Sequence, residues 1–144
     1  MKRVLFDSDV VLDVLLERQP FFAASALALD AVGQGKVEGY IAGHSITNIF
    51  YFLRRHLGNE KSQKVLMNLM SKMVTAGVTD AVIRSAFSSG FKDFEDAVTY
   101  AAAAGVGVDY IVTRNIKDFR LGSIPAMLPE VFFNIISVSE EEDE

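Results

Sequence analysis

Three acidic clusters hold the side chains of this chain that could do chemistry. The first is Asp7-Ser8-Asp9, which ends the apolar run Val4-Leu5-Phe6. The second is Asp93, Glu95 and Asp96 at the head of an Ala-rich segment, where Asp93 and Asp96 share one face of a helix. The third is Asn115 and Asp118, just past the apolar Tyr110-Ile111-Val112. Carboxylates at the exit of a buried strand are costly without a partner. Open α/β sheets bind their ligands outside the carboxyl ends of the strands. Two different apolar strands that end in acidic or amide residues therefore point to one shared oxygen-ligand site. With no cysteine and no paired-histidine motif, such a site selects a hard cation, Mg2+ or Mn2+. A cation of that kind lowers the pKa of a bound water and stabilises charge on a phosphoryl group during in-line displacement. Each cluster also has a plainer reading: Asp9 as partner of a helix dipole, Asp93 as a helix N-cap, Asp118 as the end of a turn.

The elements that must position these groups are legible in outline. Residues 2–7 read as a buried strand. From Asp9, the apolar positions Val10, Val11, Val14 and Leu15 follow helical spacing toward Arg18, and Pro20 ends the run. Residues 21–32 form an Ala-rich helix closed by Gly33 and Gly35, and 37–42 a short strand. A helix follows over 45–57, with Arg54, Arg55 and His56 favoured in its last turn by the dipole and Gly58 as its stop. Residues 60–74 read as an amphipathic helix with Val65, Leu66, Leu69, Met70 and Met73 on one stripe. Helices over 80–88 and 93–104 come next, then a second buried strand at 110–112. The segment 124–128 is a candidate short strand, and Pro129 suits the start of a final helix. Strands separated by helices imply parallel pairing, so the fold class is α/β: a three-layer α/β/α sandwich with a central, mostly parallel sheet. If the first strand and the 110–112 strand are neighbours at its centre, all three clusters meet at one edge.

Composition narrows the setting. A chain of 144 residues is one domain of ordinary size, able to bury roughly 68–70% of its unfolded surface, and half of its residues are hydrophobic. The absence of cysteine excludes disulfides and thiolate metal sites and fits a cytoplasmic location. Asp7 and Asp9 interrupt the stretch that a signal peptide would need, and Asp30 and Asp109 break the other apolar runs before they reach membrane-spanning length. A net charge of −5 looks unfavourable for nucleic acid, but five of the acidic groups lie in residues 140–144, leaving 14 basic against 14 acidic residues in the body. The segment 137–144 therefore reads as an acidic, disordered tail after a domain over 1–136. A minor alternative is that it mimics phosphate and competes for a basic groove.

The cations that could grip a polyanion are Arg54, Arg55, Lys61, Lys64, Arg114 and Lys117. Arg114 and Lys117 flank the third cluster, so they are the better placed for phosphate. His44 reads as structural and His56 as a helix-end cation. Phe50-Tyr51-Phe52 reads as core or dimer surface rather than a base-stacking platform.

Four segments together resemble one family. Val4-Leu5-Phe6-Asp7-Ser8-Asp9-Val10-Val11-Leu12-Asp13 resembles the opening motif of PIN domains, usually Asp-Thr-Asn before an apolar helix. Ser45-Ile46-Thr47-Asn48-Ile49-Phe50-Tyr51 resembles the second motif, Asp93-Phe94-Glu95-Asp96-Ala97 the third, and Ile111-Val112-Thr113-Arg114-Asn115-Ile116-Lys117-Asp118-Phe119 the fourth. The resemblance spans residues 2–133 in order and spacing. It implies a Mg2+- or Mn2+-dependent ribonuclease of the toxin type, dimeric and restrained by a small antitoxin. RNA would be its substrate, cut by metal-activated water to leave a 5′-phosphate. It further implies Asp7, Asp96 and Asp118 as catalytic residues, and Asp7, Asp9, Asp96, Asn115 and Asp118 as metal ligands. Ser8, Asn48, Asp93 and Thr113 would support them, and Arg114, Lys117, Arg54 and Arg55 would contact RNA. Two departures stand out. Asp9 replaces the usual Asn and adds a carboxylate. Asn48 replaces the usual Glu; its carbonyl oxygen can ligate, but it lacks the charge and cannot serve as a base. Asn48 keeps a second reading open, a PIN-like module that binds metal, RNA or a partner without cutting. Leu5-Phe6-Asp7-Ser8-Asp9 also resembles the Asp-x-Asp nucleophile motif of haloacid-dehalogenase phosphatases, but the later Lys and acidic motifs of that family are missing at suitable spacing.

Overall fold

The central strand of the sheet is one that only a protein interior can satisfy. In the computed structural model, which describes residues 1–143, Val4, Leu5 and Phe6 of β1 (Arg3–Phe6) are all fully buried. Such a continuous apolar run is what a parallel strand covered on both faces requires. It lies between β2 (Glu38–Ala42) and β4 (Tyr110–Val112), with β3 (Val74–Ala76) outside β2 and β5 (Ala126–Met127) outside β4. Every pairing is parallel, and the order is β3-β2-β1-β4-β5.

Alternation along the strands divides the core in two. Val4, Phe6, Ile41 and Val112 face one layer, built by α1 (Ser8–Leu15), α2 (Phe22–Gly33), α3 (Gly43–Leu57), α4 (Asn59–Met70) and α7 (Pro129–Asp143). Leu5, Tyr40, Ala42 and Ile111 face the other, built by α5 (Asp80–Phe87) and the Ala-rich α6 (Phe94–Gly105). The domain is therefore the α/β/α sandwich expected, with a sheet that is parallel throughout.

Three elements differ from the sequence reading. The helix expected over 60–74 stops at Met70, and Val74 enters β3, paired with Tyr40. Val74 and Thr75 are β-branched and favour extended backbone, and the edge of β2 offers them a ladder. The helix expected to reach Arg18 ends at Leu15, because Glu17 turns left-handed at φ 50° and the Arg18 N–H bonds back to the Asp13 carbonyl at 3.0 Å, closing the helix. The last helix runs on to Asp143 where a disordered tail from 137 was expected, and Lys36 Nζ lies 2.9 Å from Glu140 Oε1. Glutamate is a good helix former, and that ion pair ties the extension to the body; Glu144 lies outside the described residues. Gly58 ends α3 as expected, at φ 78°, a value glycine adopts without strain.

The close approach of β2 to its helices gives a first prediction. A Cβ at Gly39 would lie 2.6 Å from Val32 Cγ2 and 2.9 Å from Met73 Sδ. Met73 can bend away, but β-branched Val32 is stiff. Gly39→Ala is expected to cost about 1–3 kcal/mol through overpacking, read as a lower urea midpoint. An unchanged midpoint would contradict the packing described.

Candidate active site

Both chain directions leave β1 at its carboxyl end: the chain moves to β2 and β3 on one side, then returns to β4 and β5 on the other. The crevice between the ends of β1 and β4 is thus the switch point at which such sheets bind ligands. Phe6 pairs with Val112 across it, so the next residues, Asp7 and Thr113, emerge side by side. Asp7 caps α1, with its Oδ1 accepting from the Ser8 N–H at 2.9 Å and its Oδ2 from the Thr113 hydroxyl at 2.8 Å. Ser8 thus supports Asp7 through its backbone. These bonds favour the ionised form, but burial and then the neighbouring Asp9 charge outweigh them and raise the Asp7 pKa to about 6.

Asp9, in the first turn of α1, reaches across to the loop after β4. Its Oδ2 accepts from the Arg114 N–H and from Asn115 Nδ2, each at 3.2 Å, while Oδ1 takes the Val10 N–H at 2.7 Å. Burial raises its pKa, against the pull of Arg114. The Asn115 N–H also donates to Thr113 Oγ1 at 3.0 Å, so one short network joins the first and third clusters. The Arg114 guanidinium, expected to contact phosphate, is instead held on Asp13. Its Nε and Nη2 donate to the two carboxylate oxygens at 2.8 and 3.2 Å, and it lies 3.8 Å over the Phe21 ring. Asp13 is completely buried and also accepts from Arg18 Nε at 3.0 Å and Ser25 Oγ at 3.2 Å.

The second cluster closes the crevice from α6. Asp93 is its N-cap, accepting from the Asp96 N–H at 2.9 Å. Asp96, half-buried in the first turn, has its pKa raised to about 7 by burial, then by the charges of Asp93, Asp7, Asp118 and Glu95. Those charges come from all three clusters, so the acids face one another at one edge. Asp118, exposed on the 3-10 turn Ile116–Phe119, lines an open cleft of about 340 Å³ with Asp93, Asp96, Lys92 and Lys117. Asn48, on α3, turns its Nδ2 to Glu95 Oε1 at 3.0 Å. Among the described residues no three His, Cys, Asp or Glu side chains stand close enough to enclose a metal ion as they lie.

Of the candidate cations, only Lys117 lines this cleft. Arg54 and Arg55 end α3, stacked over Tyr51 and Phe52 at 5.2 and 5.8 Å, and Arg54 borders a separate groove between α3 and α4. Lys64 pairs with Glu60 along α4. Three contributors carried no assigned role in the sequence reading: Lys92, Glu95 and Asp13. Lys92 adjoins the third motif and could have been marked from its spacing to Asp93, whereas Glu95 was named with the second cluster but given no task of its own. Asp13 could have been noticed as an acid on the apolar face Val10-Val11-Val14 of α1.

The chain matches the family model described as PIN domain over residues 3–117. No match is found among curated proteins. Solved structures share the fold at low identity. A toxin–antitoxin complex from Klebsiella pneumoniae is 19% identical with a TM-score of 0.66, covering 88% of this chain and 97% of that one. FitAcB from Neisseria gonorrhoeae is 17% identical at a TM-score of 0.62, covering 88% and 97%. VapC20 of Mycobacterium tuberculosis, described as a sarcin-ricin loop cleaving toxin, is 12% identical at 0.60, covering 75% and 86%. With the model matching most of its length, and with the switch-point acids in place, the chain belongs to the PIN domain family.

Proposed function

We propose that this protein is a metal-dependent ribonuclease and the toxin of a toxin–antitoxin pair. The observation that carries the reading is the meeting of acids at the switch point: burial and the Asp9 charge raise the Asp7 pKa to about 6, and burial with the charges of Asp93, Asp7, Asp118 and Glu95 raises that of Asp96 to about 7. Carboxylates whose charged forms are disfavoured by burial and by one another are what a hard cation relieves. The donor set fits such an ion, being oxygen throughout, and closing it around one takes side-chain movement. Asp7, Asp96 and Asp118 are the proposed carboxylate ligands, with Asp9 and Asn115 beside them. When bound, Mg2+ or Mn2+ would supply an activated water and charge stabilisation at phosphorus. The chain's own residues would do the rest. Thr113 and the Ser8 N–H hold the Asp7 carboxylate in one orientation, leaving each oxygen a free lone pair. Asp9 fixes the loop that carries Asn115. Lys92 and Lys117 line the same cleft and offset phosphate charge as the strand enters. Hydrolysis then breaks the P–O3′ bond and leaves a 5′-phosphate.

Family membership, a toxin–antitoxin complex and a sarcin-ricin loop cleaving toxin that share the fold support restraint by an antitoxin protein and an RNA substrate; a homodimer in a cytoplasmic setting completes the proposal. No helix among the described residues is long and apolar enough to cross a membrane. The test is incubation of the purified protein with RNA, with Mn2+ or with EDTA. Cleavage is expected with Mn2+ only, and Asp96→Asn is expected to lower it at least about 100-fold, beyond the usual effect of an outer-shell change. Cleavage that persists in EDTA, or in Asp96→Asn, would sink the reading. The second reading, binding without cleavage, is favoured by one observation, the amide at Asn48 where a carboxylate is usual. A large gain of activity in Asn48→Glu would support it.

A further inference from the structure

Glu95 is not among the proposed ligands, yet α3 holds it twice. Asn48 Nδ2 donates to Glu95 Oε1 at 3.0 Å. Four residues earlier on the same face of α3, His44 Nε2 lies 3.2 Å from the Glu95 carbonyl oxygen and 3.2 Å from Thr99 Oγ1. The Thr99 hydroxyl donates to that same carbonyl at 3.0 Å, so backbone and side chain of Glu95 are both fixed at the seam between α3 and α6. An exposed glutamate one residue from a helix N-terminus would ordinarily wave in solvent. Here its charge instead bears on Asp7, at the end of β1, and on Asp96, its own neighbour. Asn48 brings no charge to the cleft. Its amide nitrogen can only donate, and what it donates to is a carboxylate with lone pairs to spare.

Resting on the metal-dependent reading above, we propose that Glu95, steered by Asn48, supplies the acidic side chain that position 48 lacks and completes the cation site of Asp7, Asp96 and Asp118. The carboxylate has moved across a 3.0 Å contact from one helix to the next. Asn48 then acts as a positioning residue, and its amide is an asset to the site.

Mn2+ binding to the purified protein, measured by isothermal titration calorimetry without RNA, tests this independently of turnover. Glu95→Gln keeps an oxygen for the Asn48 amide, so the fold is expected to hold, which thermal melting without metal verifies. Its Mn2+ affinity is expected to fall at least about tenfold. The double variant Asn48→Glu/Glu95→Gln returns the charge to α3 and is expected to recover most of the lost affinity. Parent-like binding by Glu95→Gln would overturn the proposal while leaving the metal-dependent reading standing. Failure of the folded double variant to recover would overturn it too, since the loss would then be structural. Absence of Mn2+ binding in the parent protein would bring down both.

Discussion

Asp7→Asn is expected to give a protein that is more stable than the parent in the absence of metal and inactive in its presence. The Asp7 pKa is raised from 3.8 to about 6, so the folded state prefers the protonated carboxyl more than the unfolded chain does. The sign follows from that: the contribution is fully present below the unfolded value of 3.8 and is lost as pH rises through about 6. A shift of this size corresponds to about 3 kcal/mol between pH 4 and pH 7. Asparagine removes that pH-dependent loss but cannot accept on both sides, so one of the bonds from the Ser8 N–H and the Thr113 hydroxyl is given up at about 1 kcal/mol. The net gain of about 1–2 kcal/mol at neutral pH raises the Tm of the metal-free protein by about 3–8 °C. Calorimetry in EDTA at pH 5 and pH 8 reads this out: the advantage of the variant should grow with pH. An equal or lower Tm at pH 8 would refute the account of Asp7 as a strained acid. Activity with Mn2+ should fall to background, because Asn offers neither the charge nor the second oxygen.

Asp13→Ala should have the opposite signature, a large loss of stability that also disorganises the site. The Asp13 carboxylate is wholly buried and is shared by Arg114, Arg18 and Ser25. Removing it leaves two half-buried guanidinium groups without their partner and a cavity between α1 and α2. Breaking one partner of a buried ion pair typically costs about 3–5 kcal/mol, which corresponds to a Tm lower by about 10–20 °C. Because the Arg114 N–H and Asn115 Nδ2 both meet Asp9, a freed Arg114 also loosens the loop that carries Asn115. Urea unfolding gives the first quantity and Mn2+ titration the second. A variant within about 3 °C of the parent would show that the Asp13 hub contributes far less than its burial implies. Arg114→Gln should reproduce part of the loss, and the double variant should fall well short of the sum, as expected for partners in direct contact.

The two central strands were readable because their information is local. Val4-Leu5-Phe6 and Tyr110-Ile111-Val112 are short apolar runs that end abruptly in polar residues, and that pattern alone places Asp7 and Thr113 at strand exits. The capping of α6 by Asp93 was equally local, since Asp93 and the Asp96 N–H are one turn apart. β3 was not readable: three residues beside a longer amphipathic helix have no periodicity of their own, and only pairing with Tyr40, Ile41 and Ala42 makes them a strand. Basic residues near the third cluster were likewise ambiguous. Arg114 and Lys117 look equivalent in sequence, but Arg114 has a buried carboxylate 101 residues away and Lys117 is exposed in the cleft.

Sequence by itself thus determined the fold class, the order of the four acidic and amide motifs, and the carboxylates that gather at the exits of the central strands and the head of α6. Tertiary structure alone decided which of them act together. The β1–β4 pairing sets Asp7 beside Thr113 at the switch point. Packing of α3 against α6 turns Asn48 into a holder for Glu95, 47 residues further along the chain. Side-chain roles of this kind depend on contacts between distant segments, whose geometry no local pattern of hydrophobic and polar residues encodes.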